Sequence, residues 1–567
     1  MTASSPDTGS GANAAIFYHP DGYDTSRGKL MGRHAAGEGF LQGFARHARV
    51  DEIYAYADKR EQFEQFRSQV QPLCNGKKLT WIPKVRPQGI EQAGALYVPG
   101  PGVSEYAWQR QFHAPAAWSI TGITHTICSD RVMDSIGDLL IAPLQEWDAL
   151  ICTSPAVKRG AENMLTAYGE YLSARLGAAA VQPKLQLPVI PLGVDCDHIG
   201  SEDPGGKLRR EFRRRNDIGA DEIVVLFLGR LSFHAKAHPL PMYQALQAAS
   251  VSTGKKVALV QVGWFANDAI KRAFVQGARA ICPAVRNLFL DGRKPEVRTA
   301  AWKGADIFCS LSDNVQETFG LTPVEAMAAG LPVVASDWDG YRGTVEHGVT
   351  GFLVPTVMPG AGAGADLVHR YFMGQDTYDQ YIGHVSQCIA VDAGATARVF
   401  EDLFRNPELR RTMGEQGRQR ARREFDWRVI IGAYQQLWAE LGERRRTARP
   451  SAASGVVQGH VPLRGDPFAV FSHYPTRILE AATRITIAGP DSGPAWQRLA
   501  GLNLQSFSRH TFAPDGRIDE LLGALAAAGP HGLTLGEWLA GAQPGERPVL
   551  ERTVGWLFKM GVLRMVS

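Results

Sequence analysis

Long apolar runs are missing from this chain: nowhere do about 18 apolar residues follow one another, so no membrane-spanning helix is expected. The amino terminus, MTASSPDTGSGANAAIFYH, has neither a basic start nor an apolar stretch of the kind that marks a secretory leader. Cysteine is scarce and scattered. Cys74, Cys128, Cys152, Cys196, Cys282, Cys309 and Cys388 are odd in number and include no C-x-x-C pair, which argues against a disulfide framework and against a zinc site. A reducing cytoplasm is the expected compartment. Charge of one sign is also lacking: 61 Lys and Arg stand against 57 Asp and Glu, leaving +4 and no global field to draw in nucleic acid or an anionic membrane.

What is present is length. At about 100–200 residues per domain, 567 residues make room for about three to five domains, or two large ones and an appendage. With 44% hydrophobic and 21% charged residues the chain can bury several cores, and its 60 glycines imply many tight turns. Residues 1–13 are small and polar and read as a disordered lead-in. Short strand-like runs at 51–56, 95–98, 149–153 and 187–191 then alternate with helix-like segments such as 156–176. The rhythm restarts at 222–229, 256–263, 285–292, 305–311 and 331–337, mostly apolar runs that end in Gly, Ser or Asp. Such runs suit strands buried on both faces, and their alternation with helices implies right-handed βαβ units in parallel sheets. Ligands of open α/β sheets bind at the carboxyl ends of such strands.

The segment that carries most chemistry starts at Asp313, DNVQETFGLTPVEAMAAGLPVVASDWDG. Thr322, Pro323 and Glu325 have the spacing of N-cap, N1 and N3 of a helix, and Gly330 stands where a C-cap would. Glu317, on the loop ahead of that helix, precedes Glu325 by eight positions. Two carboxylates so placed can accept hydrogen bonds from sugar hydroxyls, while the unpaired N–H groups of the helix start receive a phosphate.

The run E-x-F-G-L-x-x-x-E-A-M-A-x-G-x-P-V-V-A-S resembles the E-x7-E signature of retaining glycosyltransferases with the GT-B fold, in particular family 4. That resemblance implies two Rossmann-like doubly wound α/β domains facing a cleft. It implies a nucleoside-diphosphate sugar as donor, with Glu325 on the ribose, Glu317 on the donor sugar, and the backbone of Phe319, Gly320, Leu321 and Thr322 on sugar and phosphate. LFLGRLSFHAKAHPL resembles the family's G-R-L…K motif, which assigns Arg230 and Lys236 to the diphosphate, although Ala237 stands where Gly is usual. TGITHTICS resembles the segment whose histidine, here His125, contacts the donor sugar. KLMGRHAAGEGF resembles the glycine loop over the donor phosphates, through Gly32 and Arg33, without the usual Gly-Gly pair. WDALICTS and VIPLGVDCD resemble the segments leading to the interdomain crossing, with Leu192 in place of Asn. By motif order the resemblance spans about residues 14–443, as domains at 14–198 and 199–425 and a crossover helix at 426–443.

Two D-x-D triplets, Asp195 with Asp197 and Asp337 with Asp339, invite a metal-dependent reading. A metal needs several convergent oxygens, and both triplets fall inside segments the resemblance explains, so no metal and no cofactor is expected. The basic run 207–215 reads as a helix solvated around much of its surface. A linker is expected at 444–482 and a separate mainly helical module at 483–567, whose helix order and final L-F-K-M-G-V-L-R resemble a winged-helix domain. That tail has no strong basic face, so self-association or a protein partner is expected of it and nucleic acid is not.

Together these expectations describe a cytoplasmic hexosyltransferase that works by a metal-independent front-face mechanism on an acceptor left open as a polysaccharide, a lipid-linked glycan or a small molecule, with peripheral contact at the inner face of the membrane allowed. The alternatives are a sugar-nucleotide epimerase and a sugar-nucleotide-binding regulator acting through the tail.

Overall fold

The structure, a computed structural model, describes residues 11–23, 32–448 and 461–566, without the side chains of Gly32, Arg33 and Gly493. It divides into two compact units, Met1–Val461 and Pro462–Ser567.

In the first unit, β1 (Ala15–Phe17), β2 (Glu52–Ala57), β3 (Lys78–Pro83), β4 (Ala95–Tyr97), β5 (Ser119–Ile123) and β6 (Ala149–Ile151) form one parallel sheet of order 3-2-1-4-5-6. A second sheet repeats that order as 9-8-7-10-11-12. Its strands are β7 (Ile223–Leu228), β8 (Val257–Gly263), β9 (Arg286–Asp291), β10 (Ile307–Ser310), β11 (Val333–Ser336) and β12 (Gly351–Val354), again all parallel. Every residue of β7, β8, β10 and β11 is buried, as their largely apolar runs suit, with Gln261 the polar residue inside β8. The strand order of a dinucleotide-binding domain thus occurs twice, giving the GT-B pair.

Several local expectations shift. Gly11 N–H donates to the Arg49 carbonyl at 2.6 Å and the Asn13 side chain to the Glu52 carbonyl at 2.8 Å, so residues 11–13 are tied to the sheet rather than part of a loose lead-in. Residues 1–10 lie outside the described residues. The run at 187–191 touches β6 only through isolated bridges, Gln186 to Ala149 and Val189 to Cys152. The basic helix α1 (Lys207–Arg215) is not merely solvated: Arg209 and Arg213 both pair with Asp306, at 2.5 and 2.7 Å, and Arg213 is buried. All seven cysteines are free thiols, six of them buried.

Helix α2 (Pro407–Arg420) runs into one wide turn at Ala421–Phe425. Asp426 then caps α3 (Trp427–Thr447), accepting from the Arg428 N–H at 2.9 Å. Trp427 locks α3 onto the first domain. A Cβ on Gly39, Gly43 or Gly193 would come within 2.9, 2.8 and 2.4 Å of its ring, so only glycine lets the ring seat there. Further along α3, Trp438 Nε1 donates to Thr121 Oγ1 at 3.2 Å. The helix runs to Thr447, and residues 449–460 lie outside the described residues.

The second unit begins inside the expected linker, at Pro462. Strand Arg484–Ile487 pairs antiparallel with Leu533–Thr534 and Leu563–Met565. Helices Asp515–Ala528 and Arg547–Lys559 share an apolar core with that small sheet through Leu521, Leu525, Val554 and Leu557.

Candidate functional site

The order of the second sheet reverses between β7 and β10, and a doubly wound sheet opens its ligand crevice at that reversal. The loops leaving those two strands meet there. Lys236 Nζ, from the loop after β7, donates to Glu317 Oε2, from the loop after β10. Their side chains are only 22% and 13% exposed. Burial opposes both charges, yet the partner prevails in each case: Lys236 is held above the ordinary ammonium range and Glu317 below the ordinary carboxylate range.

The two loops are also bolted through their backbones. The Asn314 amide donates to the His234 carbonyl at 2.8 Å, and Ser312 Oγ to the Lys236 carbonyl at 3.1 Å. Arg230 Nη2 donates to the Ala235 carbonyl at 2.7 Å, and the Gln316 side-chain amide donates to the same oxygen. Burial lowers the Arg230 pKa, with Asp379 and Tyr378 opposing it.

Beyond Glu317 the chain turns sharply. Gly320 has φ +86°, and a Cβ there would lie 2.1 Å from the Tyr341 ring, so glycine is required twice over. Tyr341 is itself fixed by a 2.8 Å hydrogen bond between its hydroxyl and that of Ser310. Helix α4 (Leu321–Ala329) starts straight after Gly320 and ends at Gly330, which has φ +81°. The capping box expected of Thr322 is not formed. The helix begins two residues earlier with Gly320 as N-cap, and Thr322 Oγ1 is buried with no hydrogen-bond partner among the described residues. An orphaned hydroxyl in the first turn of a helix that opens on a crevice suits a ligand oxygen.

The side chain of Glu325, in the second turn, accepts no hydrogen bond among the described residues, and burial pushes its pKa up to about 7 against the pull of Arg298 and Lys236. Phe319 is buried, its ring 5.9 Å from that of Phe425, so only its backbone faces the crevice chemistry. Two further acids stand close by. Asp313, buried, accepts long bonds from the His238 N–H at 3.3 and 3.4 Å, and burial raises its pKa to about 7. Asp339 has φ +45°, rare for a residue with a side chain, and burial with Glu317 beside it raises its pKa to about 8. Sequence spacing singled out neither acid for this pocket, because each depends on which loops the sheet order brings together.

The first domain closes the other wall. Ser154 Oγ donates to the Thr318 carbonyl at 2.7 Å, next to Glu317. His125 is half-buried two residues past β5, on the loop whose Thr126 and Cys128 reach Tyr378 of the second domain. Gly32 opens the helix Gly32–His47, but the side chains of Gly32 and Arg33 lie outside the described residues. Thus Arg230, Lys236, Glu317 and the span 319–325 are gathered in one crevice.

Three of the four acids of the two D-x-D triplets have other partners. Asp195 pairs with Arg46 at 2.7 Å and caps a short helix through the His198 N–H; Asp197 pairs with Arg428 and Arg422; Asp337 pairs with Arg342 at 2.7 Å.

Residues 209–371 match the family model of Glycosyl transferases group 1. Over 171 residues the chain is 31% identical to the D-inositol 3-phosphate glycosyltransferase of Rhodococcus erythropolis, which is 29% of this chain and 38% of that protein. Over 142 residues it is 31% identical to the phosphatidyl-myo-inositol mannosyltransferase of Mycobacterium leprae, 25% of this chain and 28% of that protein. These matches span well under half the length of the relatives. Among solved structures, Anabaena HepE in complex with UDP aligns at 17% identity over 73% of this chain and 98% of its own, with a TM-score of 0.48. Sucrose-phosphate synthase from Thermosynechococcus elongatus aligns at 18% identity over 76% and 96%, with a TM-score of 0.43. The second doubly wound domain, which holds the Lys236–Glu317 pair, is thus the part of the chain matched by the group 1 glycosyl transferase family.

Proposed function

We propose that this chain is a retaining glycosyltransferase that moves a hexosyl group from a nucleoside-diphosphate sugar to an acceptor hydroxyl. The observation that carries the reading is the Lys236–Glu317 pair at the sheet's reversal point, one turn from the amino end of α4, with Arg230 bonded into the same loop. As the anomeric carbon–oxygen bond breaks, negative charge grows on the departing diphosphate. Arg230, Lys236 and the N–H groups of Gly320 to Thr322 offset that charge in a water-poor crevice, so this reading needs no metal.

Glu325 accepts from the ribose hydroxyls and Glu317 from the donor sugar, while His125 approaches that sugar from the first domain. The acceptor oxygen bonds to the anomeric carbon on the face the diphosphate leaves, and its proton passes to a departing phosphate oxygen. Configuration is kept in a single front-face step. Closure of the crevice is needed to keep water from taking the acceptor's place. The relatives named for inositol 3-phosphate and phosphatidyl-myo-inositol make an inositol-bearing or lipid-linked acceptor the first to try. The small carboxy-terminal unit is assigned to a protein contact or self-association.

A thermal-shift panel of UDP, GDP, ADP and their sugars tests the donor, followed by mass spectrometry of products with inositol phosphates, lipid extracts and oligosaccharides. A glycosylated acceptor with the anomeric configuration of the donor supports the proposal. Free nucleotide with an epimerised sugar and no acceptor product would replace it by the epimerase reading.

A further inference from the structure

Between the two strands of a small antiparallel ribbon, β13 (Thr356–Val357) and β14 (Ala390–Val391), the chain inserts a helical pair, α5 (Ala365–Phe372) and α6 (Tyr378–Ser386). Helix α6 lies beyond the residues that the family model matches, yet it sits against the crevice. Ile382 packs with Cys128 of the first domain and Ala235 of the Lys236 loop in one small apolar cluster. A Cβ on Gly383 would lie 3.0 Å from His234 Cβ, so α6 rests closely on that loop. Tyr381, which packs against the same cluster, stacks on Tyr371, with ring centroids 4.6 Å apart and planes 8° from parallel, which stiffens the pair.

The first residue of α6 joins three segments. The Tyr378 hydroxyl donates to Gln316 Oε1 at 3.3 Å, and it lies 3.4 Å from Thr126 Oγ1 and 3.3 Å from Cys128 Sγ. Gln316 passes the connection on, since its amide nitrogen donates to the Ala235 carbonyl, the oxygen that also holds Arg230. An unbroken chain of polar contacts therefore runs from Thr126, next to His125, through Tyr378 and Gln316 to Arg230. A bonded tyrosine at such a junction is costly to bury unless its hydroxyl is satisfied, and here the partners that satisfy it belong to both domains.

We infer that Tyr378 is a positioning residue, which makes engagement of a diphosphate by Arg230 fix the His125 loop of the first domain over the donor sugar. The inference rests on the donor-site reading above. When phosphate draws on Arg230, the Ala235 carbonyl and Gln316 are held in one arrangement, and the tyrosine hydroxyl holds Thr126 in register with them. Without the hydroxyl the two walls bind their own parts of the donor independently.

Hydrogen–deuterium exchange on the full chain, with and without UDP, GDP and ADP in turn, tests this. In the wild type the nucleotide that binds slows exchange at residues 230–236 and at 124–130, the second by about tenfold, the scale of an ordinary coupling between sites. In Tyr378→Phe, which keeps the ring, slowing persists at 230–236 and is lost at 124–130. Thr126→Val removes the partner hydroxyl from the other side without touching α6. It is expected to act alike, and it decides alone if the tyrosine variant does not fold. Equal slowing at 124–130 in wild type and variants overturns the inference and leaves the donor site standing. If no nucleotide slows 230–236 in the wild type, the donor-site reading falls, and this inference with it.

Discussion

Lys236 and Glu317 lie 81 positions apart in the chain and share one ion pair where the second sheet reverses its strand order. That pair connects fold to chemistry, because the same topology that brings the two loops together also directs the amino end of α4 between them.

Removing the lysine leaves the largely buried Glu317 carboxyl without its cation. Lys236→Ala is expected to cut turnover by about a hundredfold or more, as the loss of a preorganised cation does elsewhere, with a smaller loss in nucleotide affinity. Stability should fall by about 1–3 kcal/mol, less than for a fully buried pair because both side chains keep some solvent. Steady-state kinetics and a thermal melt check both.

The pair also sets a pH window. Glu317's depressed pKa gives stability that is present above its ordinary 4.5 and lost as pH falls through the folded value. Lys236's raised pKa gives stability that is present below its ordinary 10.5 and lost as pH rises through the folded value. Melting curves of wild type and Lys236→Ala should therefore differ most between those limits and converge in strong acid.

Glu325 behaves in the opposite sense to Glu317. Its folded pKa of about 7 lies above the ordinary 4.5, so stability present below 4.5 is lost as pH rises toward 7 and beyond. Glu325→Gln should melt higher than wild type at pH 8, by on the order of 1–3 kcal/mol, and alike at pH 4.5. Because the ionised form is the better acceptor for ribose hydroxyls, nucleotide affinity of the wild type should rise from pH 6 to pH 8 by more than that of Glu325→Gln. Titration calorimetry at both values reads the difference.

Gly320→Ala places a methyl group against the Tyr341 ring in a backbone conformation with φ +86°. The expected cost is about 2 kcal/mol or more, with weakened nucleotide binding because the start of α4 must move. A melt and a titration calorimetry run on the same sample test it.

In the first domain Arg110 and Asp148 are both fully buried and joined by two bonds, of 2.7 and 2.6 Å, and Asp148 also accepts from the Ile120 and Gln145 N–H groups at 2.8 Å each. Asp148→Ala strands the guanidinium and two backbone donors, at a cost of about 3–5 kcal/mol. The yield of soluble protein and its melting temperature are expected to drop sharply.

Much of this was legible in the residues. The runs ending at Gly229, Gly263 and Leu311 are mostly apolar because both faces of a parallel strand are covered, and they read as strands without further help. Strand β3 was not expected: KLTWIP is only partly buried at the sheet edge and carries no such run. The pattern T-P-V-E obeys the capping rule, yet Gly320 displaces Thr322 as the cap, because close packing on Tyr341 fixes where the turn ends. Helices α5 and α6 lack a motif, and the importance of Tyr378 lies in contacts with residues 62, 250 and 252 positions away, which local spacing does not encode.

The most direct test of the central claim is titration calorimetry of UDP, GDP and ADP into wild type, Lys236→Ala and Glu325→Ala at pH 8. The account predicts that one nucleotide binds the wild type and that each substitution weakens it by about tenfold or more, the loss expected on removing a charged hydrogen-bond partner. Wild-type affinity in both variants, or no binding of any nucleotide to the wild type, would contradict it.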